Sequence, residues 1–175
     1  MTQVAGRDTR SEILDKALEL FTRQGYAGTS LRDIADAVGF TKAALYYHFP
    51  AKEDLLLALL DPVIKALDAL VTGEHTHPAS LLAAYLDFII ERRPVVGFVL
   101  REPAALDHPA LAQVQWDLIV RLRDRVAGPG STPDDRVRAA CALGAVHMAV
   151  LSIDPENLPA ARDVIVASAC AALAG

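Results

Sequence analysis

Lys42, Tyr46 and His48 bring an ammonium, a phenol and an imidazole together within one short stretch of the chain. Each can hydrogen-bond to a phosphate or to the edge of a base. Ala43 and Ala44, beside them, are small enough to let a backbone come close to base edges. The competing reading for this stretch is plain aromatic packing in a small core. That reading goes to Tyr47 and Phe49, since a three-helix unit needs some aromatic filling, and it fits Tyr46 and His48 less well.

The elements around these residues are legible from their punctuation. Ser30 is an N-cap, and Asp33 three residues on completes something close to a capping box. Leu31, Ile34, Ala35 and Val38 follow at helical spacing and form one apolar face. Gly39 stops that helix, because glycine enters a left-handed C-terminal turn without steric cost. Thr41 caps a second helix from Lys42 to about Phe49, with Leu45 turned inward. Two helices joined by a tight glycine turn make a helix-turn-helix, whose second helix enters the DNA major groove. A first helix from about Arg10 to Arg23 carries Ile13, Leu14, Ala17, Leu18 and Phe21 on one face, and Gly25 ends it. Tyr26 is a packing residue in the link that follows. After Pro50 a long fourth helix runs from near Ala51 to about Val71, and Pro62 predicts a kink or break near Asp61. Lys52, in its first turn, opposes the helix dipole. A cation placed there wants another reason, and a DNA phosphate is the obvious one.

At these residues the chain closely resembles the TetR family of transcriptional regulators. The matching run is Ala17-Leu-Glu-Leu-Phe21, Gly25-Tyr26, Thr29 to Ala35, Val38-Gly39, Leu45-Tyr-Tyr-His-Phe49 and Lys52 to Leu56. It covers roughly the first third of the chain. The resemblance implies an all-α protein with a DNA-binding domain over residues 8–60, its helix-turn-helix at 30–49, and a helical ligand-binding and dimerisation domain over 61–175. It also supports backbone contact by Lys52. The expected DNA contacts are Ser30, Arg32, Thr41, Lys42, Ala43, Ala44, Tyr46, His48 and Lys52, with Ser30 mainly a cap. Arg7 and Arg10 could reach a phosphate or a minor groove, or belong to a solvated arm.

Charge limits how such binding could work. The 175-residue chain has a net charge of −5. Up to Asp54 seven Lys and Arg face eight Asp and Glu, or −1. A non-specific DNA coater is usually basic. This chain must therefore rely on a few aimed contacts, with an affinity of modest salt dependence. Charges or prolines break each apolar run that could span a bilayer, and Met1 to Arg10 lack a secretory apolar core, so a cytoplasmic protein is expected. Cys141 and Cys170 read as reduced, buried thiols.

The remainder reads as five helices: Ala79 to about Arg92, Pro94 to Leu100, about Pro109 to Val126, Pro133 to about Ser152, and Leu158 or Pro159 to Leu173. The last two are crowded with alanine, and a chain this size would struggle to bury both. They are expected to pair with their copies in a homodimer, the family's usual arrangement; a single buried hairpin is the alternative. Two recognition helices related by a two-fold axis read a palindromic operator with half-sites ~34 Å apart. Tyr85, Phe88, Phe98, Trp116, His147 and Met148 could line an apolar pocket for a small apolar or aromatic effector, although each taken alone reads more readily as core than as ligand contact. His147 needs a polar partner, which a backbone carbonyl could supply. No cofactor or metal is implied: His75 and His77 lack further ligands of clear spacing. Asp107-His108 reads as a turn before a helix. The expected protein is a repressor released by its ligand. The alternatives are a ligand-independent architectural factor and, less well supported, a helical enzyme, for which no phosphate loop or nucleophile elbow is present.

Overall fold

A computed structural model describes residues 9–102 and 109–174. Arg7 and the Asp107-His108 pair lie outside the described residues. Among the described residues the structure is helical, without strands: α1 Thr9–Gln24, α2 Leu31–Val38, α3 Lys42–His48, α4 Lys52–Thr72, α5 Pro78–Glu91, α6 Arg93–Arg101, α7 Pro109–Ala127, α8 Pro133–Ser152 and α9 Leu158–Ala174. The all-α expectation and the order of the helices stand.

The caps form as the sequence dictates. Ser30 Oγ accepts from the Asp33 amide at 3.2 Å, while the Asp33 carboxylate accepts from the Ser30 amide at 2.8 Å. Gly39 ends α2 at φ 73°, a left-handed conformation that costs a side-chain-bearing residue free energy. Thr132 and Asp135 repeat the reciprocal cap at the start of α8.

Two apolar clusters result. One gathers α1 to α4 around Ile13, Phe21, Ile34, Leu45, Phe49 and Leu55. The other joins the far half of α4 to α5, α7, α8 and α9. Helix α4 belongs to both, and Ile64 packs against each cluster. Pro62 does not end it: the helix runs unbroken from Lys52 to Thr72. Of the kink or break expected near Asp61, the break does not occur, since packing on both sides holds the helix together where its backbone ladder loses one donor.

Helix α6 crosses the expected boundary at residue 60. Its Phe98 is buried in the N-terminal cluster, stacked on Phe21 with ring centroids 5.8 Å apart. Phe98 thus fills the core of the N-terminal cluster and lines no cavity of the other cluster.

Pro155–Ala174, a short 3₁₀ turn followed by α9, is a 20-residue stretch of mean hydropathy 1.2, long and apolar enough by length and composition to cross a membrane. That corrects the reading that charges and prolines break every such run. In the fold, α9 lies on α5 and α8, and Arg162 clasps Asp87 of α5 through two bonds of 2.8 and 2.7 Å. Cys141 is exposed and Cys170 half-buried, so the two thiols are not both core residues.

Candidate nucleic-acid interface and effector cavity

Helix α3 is seven residues long, and only Leu45 on it is buried. Thr41 caps it, its Oγ1 accepting from the Ala44 amide at 3.2 Å. Leu45 beneath and Phe49 just beyond pin the helix to the core, and the Arg10 guanidinium lies 5.0 Å from the Phe49 ring centre. The opposite side is open. Lys42, Ala43, Ala44 and Tyr46 are all exposed, as is Thr41, and the Lys42 ammonium lies 5.4 Å from the Tyr46 ring centre. His48 is half-buried, edge-on to Tyr47 at 5.5 Å.

Tyr47 overturns its assignment to the core, for it is 85% exposed. On so short a helix one inward turn admits Leu45 and little else, and Phe49 fills the remaining space from the chain beyond it. The outward face therefore carries two phenols, and Tyr47 joins Lys42 and Tyr46 as a candidate contact. The sequence signal that could have found it is its place two residues from the inward Leu45, half a helical turn away.

Arg32 is exposed on α2, 3.7 Å from Asp36 in an exposed pair that competes weakly with a phosphate. Lys52 has a task in the fold besides the phosphate contact expected of it. Its ammonium donates to the carbonyls of Tyr26 at 2.7 Å and Thr29 at 3.0 Å, and sits 4.3 Å from the Tyr26 ring centre. Those carbonyls explain a cation at the start of α4 without any phosphate. The same link is tied from within, buried Thr29 donating its hydroxyl to the Gly25 carbonyl at 2.9 Å. Tyr26 packs edge-on to Phe21, and burial together with the Glu53 charge pushes its phenol up to about 12. Lys52→Met should cost about 1–3 kcal/mol of stability through the two lost charge-assisted bonds, read by urea denaturation. The corresponding change at exposed Lys42 should cost almost none.

In the second cluster, a cavity of about 90 Å³ is bounded by Leu60, Val63, Ile64 and Leu67 of α4, Tyr85 and Phe88 of α5, and Val96, Val99 and Leu100 of α6. Gln115, Leu118 and Ile119 of α7 and His147 of α8 close it. Tyr85, Phe88 and His147 of the expected lining are there. Trp116 and Met148 are not: they are 67% and 61% exposed and point away from the core. The α6 residues were missed, although their apolar spacing of three and four marked a buried face. His147 finds its polar partner in the Tyr85 hydroxyl rather than in a carbonyl. Burial lowers the His147 pKa from its usual value and raises that of Tyr85, so both are neutral near pH 7.

A wider, open cleft of about 800 Å³ passes His75, His77, Arg121 and Arg125 at the far end of α4 and α7. Its cations are already engaged, Arg121 by Asp68 at 2.8 Å and Arg125 by the Gly73 carbonyl at 2.6 Å. His75 meets the Leu70 carbonyl at 3.0 Å. No cluster of three or more metal-ligating side chains occurs among the described residues.

A capped short helix with an open polar-aromatic face, seated on a helical bundle, is the arrangement of a helix-turn-helix unit. Residues 13–59 match the family profile described as "Bacterial regulatory proteins, tetR family". The chain is 50% identical over 54 residues to the HTH-type transcriptional regulator AcrR of Shigella flexneri, a match covering 31% of this chain and 25% of AcrR. The likeness to that relative thus spans a quarter of its length. The fold extends further. The crystal structure of Mycobacterium smegmatis AmtR superposes with a TM-score of 0.71 at 29% identity, covering 99% of this chain and 89% of AmtR. AibR, solved in complex with isovaleryl coenzyme A and operator DNA, gives 0.69 at 25%, covering 92% of this chain and 97% of AibR. Residues 13–59 thus carry a tetR-family segment, and the chain as a whole has the fold of solved TetR-family regulators.

Proposed function

We propose that the protein is a transcriptional regulator that binds a palindromic operator as a homodimer, acting in the cytoplasm as a repressor released by a small apolar ligand. The observation that carries this reading is the outward face of α3, where Lys42, Ala43, Tyr46 and Tyr47 stand exposed on a helix fixed by Thr41 and Leu45. DNA contact falls to these residues with Thr41, Ala44 and His48, and to Arg32 and Ser30 at the start of α2. Any contact by Lys52 is secondary to its bond to the loop. Residues 8–60 would form the DNA-binding domain with Phe98 as a borrowed core residue, and 61–175 the regulatory domain.

The outer sides of α8 and α9 support the dimer. Val137, Cys141 and Met148 are exposed on one, Val164, Ala167 and Ala171 on the other. An apolar two-helix face of small side chains suits close packing against its copy. AibR, which shares the fold, was solved with both isovaleryl coenzyme A and operator DNA, and that pairing of ligand and operator supports the reading. Release requires a ligand that binds the two dimer states unequally.

One observation favours the ligand-independent alternative. At about 90 Å³ the cavity is well below the ~300 Å³ at which most ligand sites begin. Selection of bound sequences from random duplex DNA tests the main reading. Convergence on an inverted repeat is expected, whereas unselective retention would favour the architectural factor. Tyr47→Ala should then weaken the selected duplex about tenfold or more, on the scale of ~1–3 kcal/mol for a well-made contact, with unchanged thermal stability. Fluorescence anisotropy measures the first and calorimetry the second.

A further inference from the structure

The effector cavity has a chemistry that narrows what can enter it. Its lining holds no Asp, Glu, Lys or Arg side chain. Its polar groups are Tyr85, His147 and Gln115, and two of these are bonded to each other. An ion entering such a site would lose its hydration with no opposite charge to replace it, at a cost of several kcal/mol. A neutral molecule meets no such barrier.

The Tyr85–His147 pair still has bonding capacity for a guest. If the phenol donates to Nε2, the tyrosine oxygen retains a lone pair and the imidazole carries its proton on Nδ1. With the other tautomer the phenol proton is free to donate. Either way the tyrosine oxygen can meet a guest, accepting through its lone pair or donating its free proton; a hydroxyl can use both states and a carbonyl oxygen only the second.

Size sets a second limit. At about 90 Å³ the space is smaller than the engineered cavity of ~150 Å³ that holds benzene, so it takes at most a short chain or one small ring, part of which lies in its open mouth. A steroid or an acyl-coenzyme A would not fit within it.

We propose that this cavity binds a neutral molecule of about the size of phenol, apolar over all but one oxygen, with that oxygen hydrogen-bonded to the Tyr85–His147 pair. The proposal rests on the ligand-responsive reading above and names the chemical class of its effector.

Titration calorimetry of the full chain at pH 7.5 with phenol, toluene, benzoate and benzylamine tests it, since these probes share a ring and differ in charge and hydrogen bonding. Phenol should bind most tightly, toluene about tenfold more weakly, and the two ions without saturation. Tyr85→Phe keeps the ring, so it should abolish the preference for phenol while leaving toluene unchanged; His147→Leu supplies a second variant with the same expected loss of preference. Benzoate or benzylamine binding as tightly as phenol would overturn the neutral class. Equal binding of phenol and toluene by the unmodified chain would remove the pair as the recognition group, and no saturable phenol binding would remove the site. Because the calorimetry contains no DNA, its failure is separable from that of the regulator. A selected operator with no phenol binding leaves the regulator and discards the site. Phenol binding with no selected operator does the reverse.

Discussion

Phe98→Ala should lower the free energy of unfolding by about 3–5 kcal/mol, the usual cost of emptying a buried aromatic site. The reason is its position. Phe98 is carried by α6, yet it is 1% exposed within the N-terminal cluster, against Phe21. It is the largest buried side chain that α6 supplies to that cluster. The loss should appear first in the N-terminal bundle, whose few aromatics cannot close around the gap, and with it any affinity for the proposed operator should fall. Trp116→Ala serves as the control. It removes a larger ring from an exposed site on α7, and surface substitutions usually stay within ~0.5 kcal/mol. Urea denaturation of both variants decides the matter. Equal and small effects would return the domain boundary to residue 60 and leave α6 wholly within the regulatory half.

The second large effect concerns the outer face of α8 and α9. Val164 is 68% exposed in the single chain, so Val164→Glu should leave the protomer folded. In the proposed dimer the same carboxylate would be buried without a partner, at a cost of several kcal/mol. Each ~1.4 kcal/mol is a factor of ten in association, so the dimer should weaken at least a hundredfold. Sedimentation at micromolar concentration should then show monomer with an unchanged helical spectrum, and binding to a palindromic duplex should fall far more than binding to a half-site. A dimer that survived Val164→Glu would place the interface elsewhere.

What the sequence made legible was punctuation and period. Ser30, Asp33, Gly39, Thr41 and Thr132 act locally, through bonds to amides or a left-handed turn within a few residues. The helices they bound could therefore be read without tertiary knowledge. Sidedness on short elements was less legible. On a helix of seven residues, adjacent aromatics cannot be divided between core and solvent by period alone, and Tyr47 was placed inside when it stands outside. Contacts between distant elements were the least legible. Nothing in the sequence around Phe98 announces Phe21 as its neighbour. Lys52 looked like a phosphate ligand because the carbonyls of Tyr26 and Thr29 that occupy it come from another element. Trp116 and Met148 look like pocket residues by type, but direction, not type, decides whether a side chain lines a cavity. His147 was a better guide, because a buried imidazole must find a partner, and its partner proved to be another residue of the same cavity.

The central claim is sequence-specific DNA binding through the open face of α3. Its most direct test is to retain sheared genomic fragments from the source organism on the purified protein and sequence them, with a Lys42→Ala/Tyr47→Ala variant in parallel. The unmodified chain should enrich one inverted repeat and the variant should lose it, with the fold intact. Even retention across the genome, or identical enrichment by both proteins, would contradict that claim.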